Sequence, residues 1–126
     1  MKNESKFIQI YLDIYDVTVL VTWEKDAKKI IKHLDKISIN KTEPEFSRHI
    51  EKLLQRGIGG FCTDFGTDKV IWIHKRPEKN SEYGVLYHEL YHSVDHISRD
   101  KSMESEWEAK AYMFQYLVEH CNKVLW

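Results

Sequence analysis

Two histidines and a glutamate in the C-terminal half of the chain have the spacing of a metal-dependent hydrolytic site. Residues 88–92 read HELYH, an H-E-x-x-H pattern that places His88 and His92 four positions apart. On an α-helix these positions lie about 40° apart around the axis, so both imidazoles can bind one Zn²⁺ ion. Glu89 would lie beside them and could deprotonate a water molecule held there. The motif therefore predicts a zinc site with Glu89 as its catalytic carboxylate.

The residues around the motif predict a helix with one apolar side and one chemically active side. Four apolar residues gather in one sector when each residue turns about 100° around the helix axis. They are Leu86, Leu90, Val94 and Ile97. His96 falls on the opposite side with the motif. It could cap the cleft, polarise a substrate carbonyl, serve as a fourth ligand or simply be exposed.

A third metal ligand is expected from the C-terminal helix, where glutamates occur at positions 104, 106 and 108. On a helical wheel Glu106 falls with the apolar Leu117, whereas Glu104 and Glu108 fall on the solvated side. A carboxylate on a buried stripe is costly unless it is paired or metal-bound, so Glu106 is the predicted ligand and Glu104 the reserve. Alternatively, Glu106 is exposed in the first turn, where it favours the helix dipole and Ser105 caps the helix with Glu108.

Together these segments resemble the zincin metallopeptidases of the gluzincin type. HELYH followed by ESEWEAKAYMF is similar to the motifs of minigluzincins and of ImmA/IrrE-like peptidases, over roughly residues 68–118. In those families the first Glu of an E-x-x-A-[DN]-x-[FY] run is the third zinc ligand, and that position matches Glu106. The resemblance implies an α+β zincin-like domain. Such a domain has a small mixed or antiparallel sheet, an H-E-x-x-H helix and a C-terminal glutamate helix.

The resemblance also implies an enzyme that hydrolyses bonds in a peptide or protein substrate. A bound Zn²⁺ would supply Lewis acidity, and Glu89 would take a proton from water and pass it to the leaving amine. In zincins an edge strand above the cleft binds extended substrate by main-chain pairing, and residues 69–75 are the expected equivalent. The alternative for this segment is an ordinary sheet strand with Trp72 in the core, and both descriptions can hold.

One residue departs from the family pattern. Family members commonly have Asp or Asn four residues after the ligand Glu, where it supports a zinc-bound histidine, but this chain has Lys110. Lys cannot accept an imidazole N–H, so the support must come from elsewhere, either from Asp95 or, if Asp95 is a surface acid, from another group. The departure leaves a second class of function open. That class is a zinc-bound scaffold or binding module, non-catalytic or latent, of phage or mobile-element origin.

The rest of the chain supplies the elements that must position these residues. Period-two and helical hydrophobic patterns predict strands over 7–23 with a hairpin near Tyr15-Asp16, helices over 24–37 and from near Thr42 to Arg56, strands over 61–65 and 69–75, and helices over about 81–98 and 103–123. Gly57 is the expected C′ residue of the second helix. The chemistry is thus predicted to lie on the last two helices and the strand pair before them.

Composition limits the class of protein. The 126 residues include 19 Lys and Arg against 20 Asp and Glu, a formal net charge of −1, which excludes a polybasic nucleic-acid binder. No window approaches ~18 apolar residues, and the polar N-terminus lacks the apolar core of a signal peptide. Two cysteines, Cys62 and Cys121, are too few for a disulfide framework. We therefore expect one cytoplasmic domain over residues 1–126, with no nucleic-acid or membrane partner.

Overall fold

The computed structural model describes residues 5–37 and 43–126, and these form a mixed α+β fold, as predicted. Its elements are β1 (Phe7–Leu12), β2 (Val17–Thr22), α1 (Ala27–Ile37), α2 (Pro44–Gln55), β3 (Gly60–Phe65), β4 (Asp68–Ile73), α3 (Asn80–Asp100) and α4 (Trp107–Leu125). Every predicted element is present, with bounds that differ by a few residues. Thr42, the predicted start of the second helix, lies outside the described residues. Gly57 follows that helix with a φ of 68°, the left-handed conformation that glycine adopts without strain.

The four strands form one mixed sheet in the order β1-β2-β4-β3. β1 and β2 form the predicted antiparallel hairpin, β2 and β4 pair in parallel, and β3 and β4 are antiparallel. β4 therefore has a hydrogen-bonded neighbour on each side, and β1 and β3 are the two edge strands. The prediction that residues 69–75 provide a free edge is wrong, because β2 occupies the side of β4 that a substrate would need.

Alternate side chains along β4 enter two separate apolar cores. Ile71 and Ile73 face the layer formed by α3 and α4, whereas Val70 and Trp72 face the layer formed by α1 and α2. Trp72 is buried, as predicted, and its indole N–H donates a hydrogen bond to the carbonyl oxygen of Glu24 at 2.7 Å. The molecule therefore has three layers, with the sheet between two pairs of helices.

Helix α3 turns its apolar side to the sheet and its motif side outward. The four apolar residues predicted to face the core, Leu86, Leu90, Val94 and Ile97, are fully buried. α4 packs beside α3 through the buried side chains of Met113, Leu117 and Cys121. None of the described helices combines the length and the apolar character needed to cross a membrane. This packing fixes α3 on the sheet and leaves His88 and His92 accessible.

Candidate metal and catalytic site

The two motif histidines lie side by side on the exposed face of α3. The Nε2 atoms of His88 and His92 are 3.0 Å apart, and the rings meet edge to face with centroids 4.6 Å apart. Two nitrogens bound at ~2.0–2.1 Å to one tetrahedral Zn²⁺ would be about 3.3 Å apart. The same distance also fits a hydrogen bond between one protonated and one unprotonated nitrogen. The pair therefore presents two metal-ligand atoms at close to the separation that a shared ion requires.

Glu89 lies on the same helical turn but is buried, with 7% of its surface exposed. Among the described residues it forms no hydrogen bond or ion pair. Burial raises the pKa of the Glu89 carboxyl above its ordinary value, and the three neighbouring histidines of α3 act against that rise. A raised pKa suits a carboxylate that must accept a proton near neutral pH. Its burial and its position beside the histidines distinguish it from an ordinary surface acid.

Gly60 at the start of β3 allows the sheet to approach Glu89 closely. A Cβ at this position would lie 2.9 Å from the carbonyl oxygen of Trp72, 3.2 Å from Val85 Cγ1 and 3.3 Å from Glu89 Cγ. The first of these contacts is with backbone, which cannot move aside cheaply. The absence of a side chain at Gly60 is therefore a requirement of the packing of β3 against β4 and α3 at the site.

Replacing Gly60 with Ala should destabilise the protein by about 1–3 kcal/mol, because the added methyl would overpack against the Trp72 carbonyl of β4 and against α3. Gly84→Ala is the matched control, since it adds the same methyl to α3 at a position where nothing beyond the adjacent residues and the backbone of the helix itself lies within 4 Å. That variant should gain about 0.5–1 kcal/mol from its better helix propensity. Urea unfolding of both variants measures the difference. Equal effects on the free energy of unfolding would contradict the close approach at Gly60.

Glu106 lies at the start of α4 but not on its buried side. The helix begins at Trp107, and Glu106 is the N-cap residue, with φ −89° and ψ 77° and an exposed side chain. The wheel prediction of a buried position is wrong, because a residue that precedes the helix does not share its periodicity. The exposed position anticipated as the alternative is the one observed, although no side chain caps this end of the helix.

The structure brings together two of the three predicted metal ligands. Over residues 5–37 and 43–126, no group of three His, Cys, Asp or Glu side chains is arranged to hold an ion. His88 and His92 converge, whereas Glu106 and the reserve Glu104 are both exposed on the segment that leads into α4. Two imidazoles with a carboxylate have the chemistry of a zinc donor set. The role of Glu106 as the third ligand stays a prediction.

Lys110, at the position where the family has Asp or Asn, pairs with Asp95. Its Nζ lies 3.2 Å from Asp95 Oδ1 and 5.3 Å from the centroid of the Trp107 ring. The ion pair joins the first turn of α4 to the turn of α3 that follows His92. Among the described residues Asp95 contacts Lys110 and forms no hydrogen bond with a motif histidine, so the predicted support of a ligand by Asp95 finds no contact here.

A second polar cluster lies further along α3. His96 Nδ1 is 2.9 Å from Asp64 Oδ1 on β3, and Lys69 Nζ on β4 lies 3.1 Å from the same oxygen. Lys69 also lies 2.6 Å from Asp100 Oδ2 at the end of α3, and its side chain is fully buried. Burial alone would raise the pKa of Asp64, but the hydrogen bonds and charges of Lys69 and His96 outweigh it and hold the pKa below its ordinary value.

Sequence reasoning missed the carboxylates of this cluster, although one signal for it is present. Lys69 is in phase with Ile71 and Ile73 on the buried face of β4, where an ammonium group requires a carboxylate partner. The nearby Cys62 Sγ is 3.9 Å from His96 Nδ1, and burial raises the pKa of its thiol to about 12. Cys62 is therefore a protonated packing residue at neutral pH.

The candidate site thus comprises the pair His88 and His92, the buried Glu89, and the cluster of His96 and Asp64, all along the line where α3 faces β3. The segment that carries Glu106 leads into α4, whose first turn is joined to α3 by the ion pair of Lys110 and Asp95. Compared with known proteins, the chain matches no protein-family model, no curated protein sequence and no solved structure.

Proposed function

We propose that this protein is a zinc-dependent metallopeptidase with a zincin-like fold, in which His88, His92 and Glu106 bind the metal and Glu89 is the general base. The observation that supports this most directly is the convergence of two Nε2 atoms, 3.0 Å apart, beside a buried carboxylate. An unpaired buried carboxylate destabilises the folded state. A role as general base would explain why Glu89 is buried without a partner among the described residues despite this cost.

The chain's own residues would carry the proton transfers. A bound Zn²⁺ would supply Lewis acidity that polarises a carbonyl and makes water more acidic. Glu89 would take a proton from the attacking water and deliver it to the leaving amine. Because Gly60 has no side chain, Glu89 can lie close against β3, and the carboxylate would already be beside the histidine pair before the reaction.

The substrate class that best fits this cleft is an extended peptide or an unfolded protein segment. β3 is the edge of the sheet beside α3, so over residues 5–37 and 43–126 no strand pairs with the N–H and C=O groups on its outer side. A peptide can add to such an edge by main-chain hydrogen bonds. β3 then takes the role that the sequence had suggested for residues 69–75, and Gly60 lies at its end nearest to Glu89.

Metal analysis combined with a cleavage assay tests this function. The purified protein should hold about one equivalent of zinc and should hydrolyse fluorescein-labelled casein. Excess 1,10-phenanthroline should stop the cleavage and lower the melting temperature, and added Zn²⁺ should restore both, since an ion that binds only the folded state stabilises it. Protein that holds no zinc, cleaves nothing and melts identically with the chelator would contradict the proposal.

A zinc-bound scaffold or latent module is the second candidate. Two observations favour it: Lys110 is engaged by Asp95, and Glu106 and Glu104 are exposed. A structural zinc is usually closed by four protein ligands, whereas a catalytic zinc keeps one position for water. X-ray absorption on the zinc-loaded protein separates the two candidates. Four protein ligands, with His96 as the fourth, together with no casein cleavage would favour the scaffold.

A further inference from the structure

We propose that His96 contacts the main chain of the substrate and that Asp64 is the positioning residue that orients it. The proposal rests on the proposed peptidase function and adds a second point of contact in the same cleft. His96 follows Glu89 by seven residues, which corresponds to about 10 Å along the helix axis. Three residues of an extended peptide span a similar length, at ~3.3 Å each.

The hydrogen bond to Asp64 determines what His96 can offer. A carboxylate accepts a proton donor, so the neutral ring carries its hydrogen on Nδ1, the atom 2.9 Å from Asp64 Oδ1. Nε2 is then a hydrogen-bond acceptor, and among the described residues it has no hydrogen-bond partner. The side chain is 23% exposed. A fixed and accessible acceptor at the cleft is suited to receive a peptide N–H.

Asp64 itself forms an ion pair with the buried ammonium group of Lys69. Lys69 lies directly opposite Asp64 in the register of β3 and β4, and its fully buried Nζ lies between Asp64 and Asp100. Breaking a buried ion pair leaves an uncompensated charge, which costs several kcal/mol. The sheet therefore fixes the carboxylate, the carboxylate fixes the imidazole, and His96 is orientated before any substrate arrives.

The path of β3 along α3 indicates where this contact falls on a substrate. Gly60 lies against Glu89, while Cys62 and Asp64 lie against His96, so the strand and the helix pass each other in the same direction. A peptide paired with the edge of β3 would pass Glu89 and reach His96 about three residues later. The contact is thus remote from the cleaved bond, and it should strengthen substrate binding equally in the ground state and in the transition state.

A purely structural role predicts different behaviour. If the cluster only ties β3 to α3, then removing either carboxylate partner of Lys69 should lower stability, and neither change should affect substrate affinity. Asp100→Ala is therefore the matched control for Asp64→Ala, because both remove a partner of Lys69 but only Asp64 touches His96. Melting temperatures of both variants register the shared structural effect.

The test compares KM and kcat on a peptide taken from a mapped casein cleavage site. His96→Asn keeps an N–H near the position of Nδ1 and removes Nε2, so it should raise KM roughly 3- to 10-fold, the value of one hydrogen bond, with kcat within about twofold. Asp64→Ala should match it, Asp64→Asn should recover part of the loss because its amide oxygen still accepts, and Asp100→Ala should leave KM unchanged.

Two readouts do not depend on turnover. Nitrogen-15 NMR of the wild type should show His96 with its proton on Nδ1, and Asp64→Ala should abolish that fixed tautomer; His96→Asn assigns the signal. Zinc content should be unchanged in every variant, and a loss in His96→Asn would overturn the proposal by making His96 a ligand. Unchanged KM in His96→Asn, a fall in kcat alone, or an unchanged tautomer in Asp64→Ala would also overturn it. A wild type that cleaves nothing would overturn the proposed function and the substrate contact together.

Discussion

Glu89→Gln should lower kcat for peptide hydrolysis by roughly 10²–10⁴-fold, the usual contribution of general acid–base catalysis. Gln keeps the shape of the side chain but cannot take a proton from water. Zinc content should be unchanged, because Glu89 lies beside the histidine pair and is not expected to bind the ion. Peptide cleavage assays measure kcat, and metal analysis of the same preparations measures the zinc content.

Glu89→Gln should lose activity without losing stability. Burial raises the pKa of Glu89, so at neutral pH the ionised carboxylate destabilises the folded state relative to the unfolded chain. In metal-free protein the neutral amide should therefore keep or raise the melting temperature at pH 7. Glu51→Gln, an exposed change on α2, serves as the control and should alter neither activity nor stability. An active Glu89→Gln variant would exclude the general-base role.

Loss of either motif histidine should remove the metal. His88→Ala and His92→Ala should each weaken zinc binding by more than about 100-fold. Mutation of a residue that only supports a ligand costs up to about 100-fold in metal affinity, and loss of the ligand itself should cost more. Competition with a chromophoric chelator measures the affinity. A His88→Ala variant that keeps a full equivalent of zinc would end the metal hypothesis for this motif.

The third ligand is decided by a matched pair of variants in the same experiment. Glu106→Ala should weaken zinc binding to a similar degree, whereas Glu104→Ala, an equally exposed residue two positions earlier, should have no effect. The reverse result would assign the ligand to Glu104. Retention of zinc in both variants would leave the histidine pair with a different third partner and would remove the gluzincin interpretation.

Local patterns were sufficient to predict the elements of the fold. The alternation along β1 and β2 and the 3.6-residue period along α3 are read from neighbouring residues, and both emerged with the predicted faces buried. Gly57 ended its helix as expected because its left-handed backbone is a local property. For the same reason, His88 and His92 were correctly expected to lie together, since one helical turn separates them.

What could not be predicted depended on partners distant in sequence or on the position of a helix end. The parallel pairing of β2 with β4 joins Leu20 to Val70, and no local pattern indicates it, so the edge strand was misassigned. His96 and Asp64 are 32 residues apart and meet only through the packing of α3 on β3. The error at Glu106 came from the position of the helix end. The helical wheel treated Glu106 as part of the helix, but α4 begins only at Trp107.

The parallel pairing of β2 with β4 also has a consequence for the order of folding. The hairpin of β1 and β2 and the hairpin of β4 and β3 each close over a short loop, whereas their junction must bring together residues 50 positions apart. Parallel pairing of strands so far apart in sequence forms more slowly than a local hairpin. Residues 70–73 of β4 are apolar on both faces, so before the junction forms the chain exposes a strand prone to intermolecular association. Nascent chains should therefore be most vulnerable to aggregation between the completion of the second hairpin and its docking on the first.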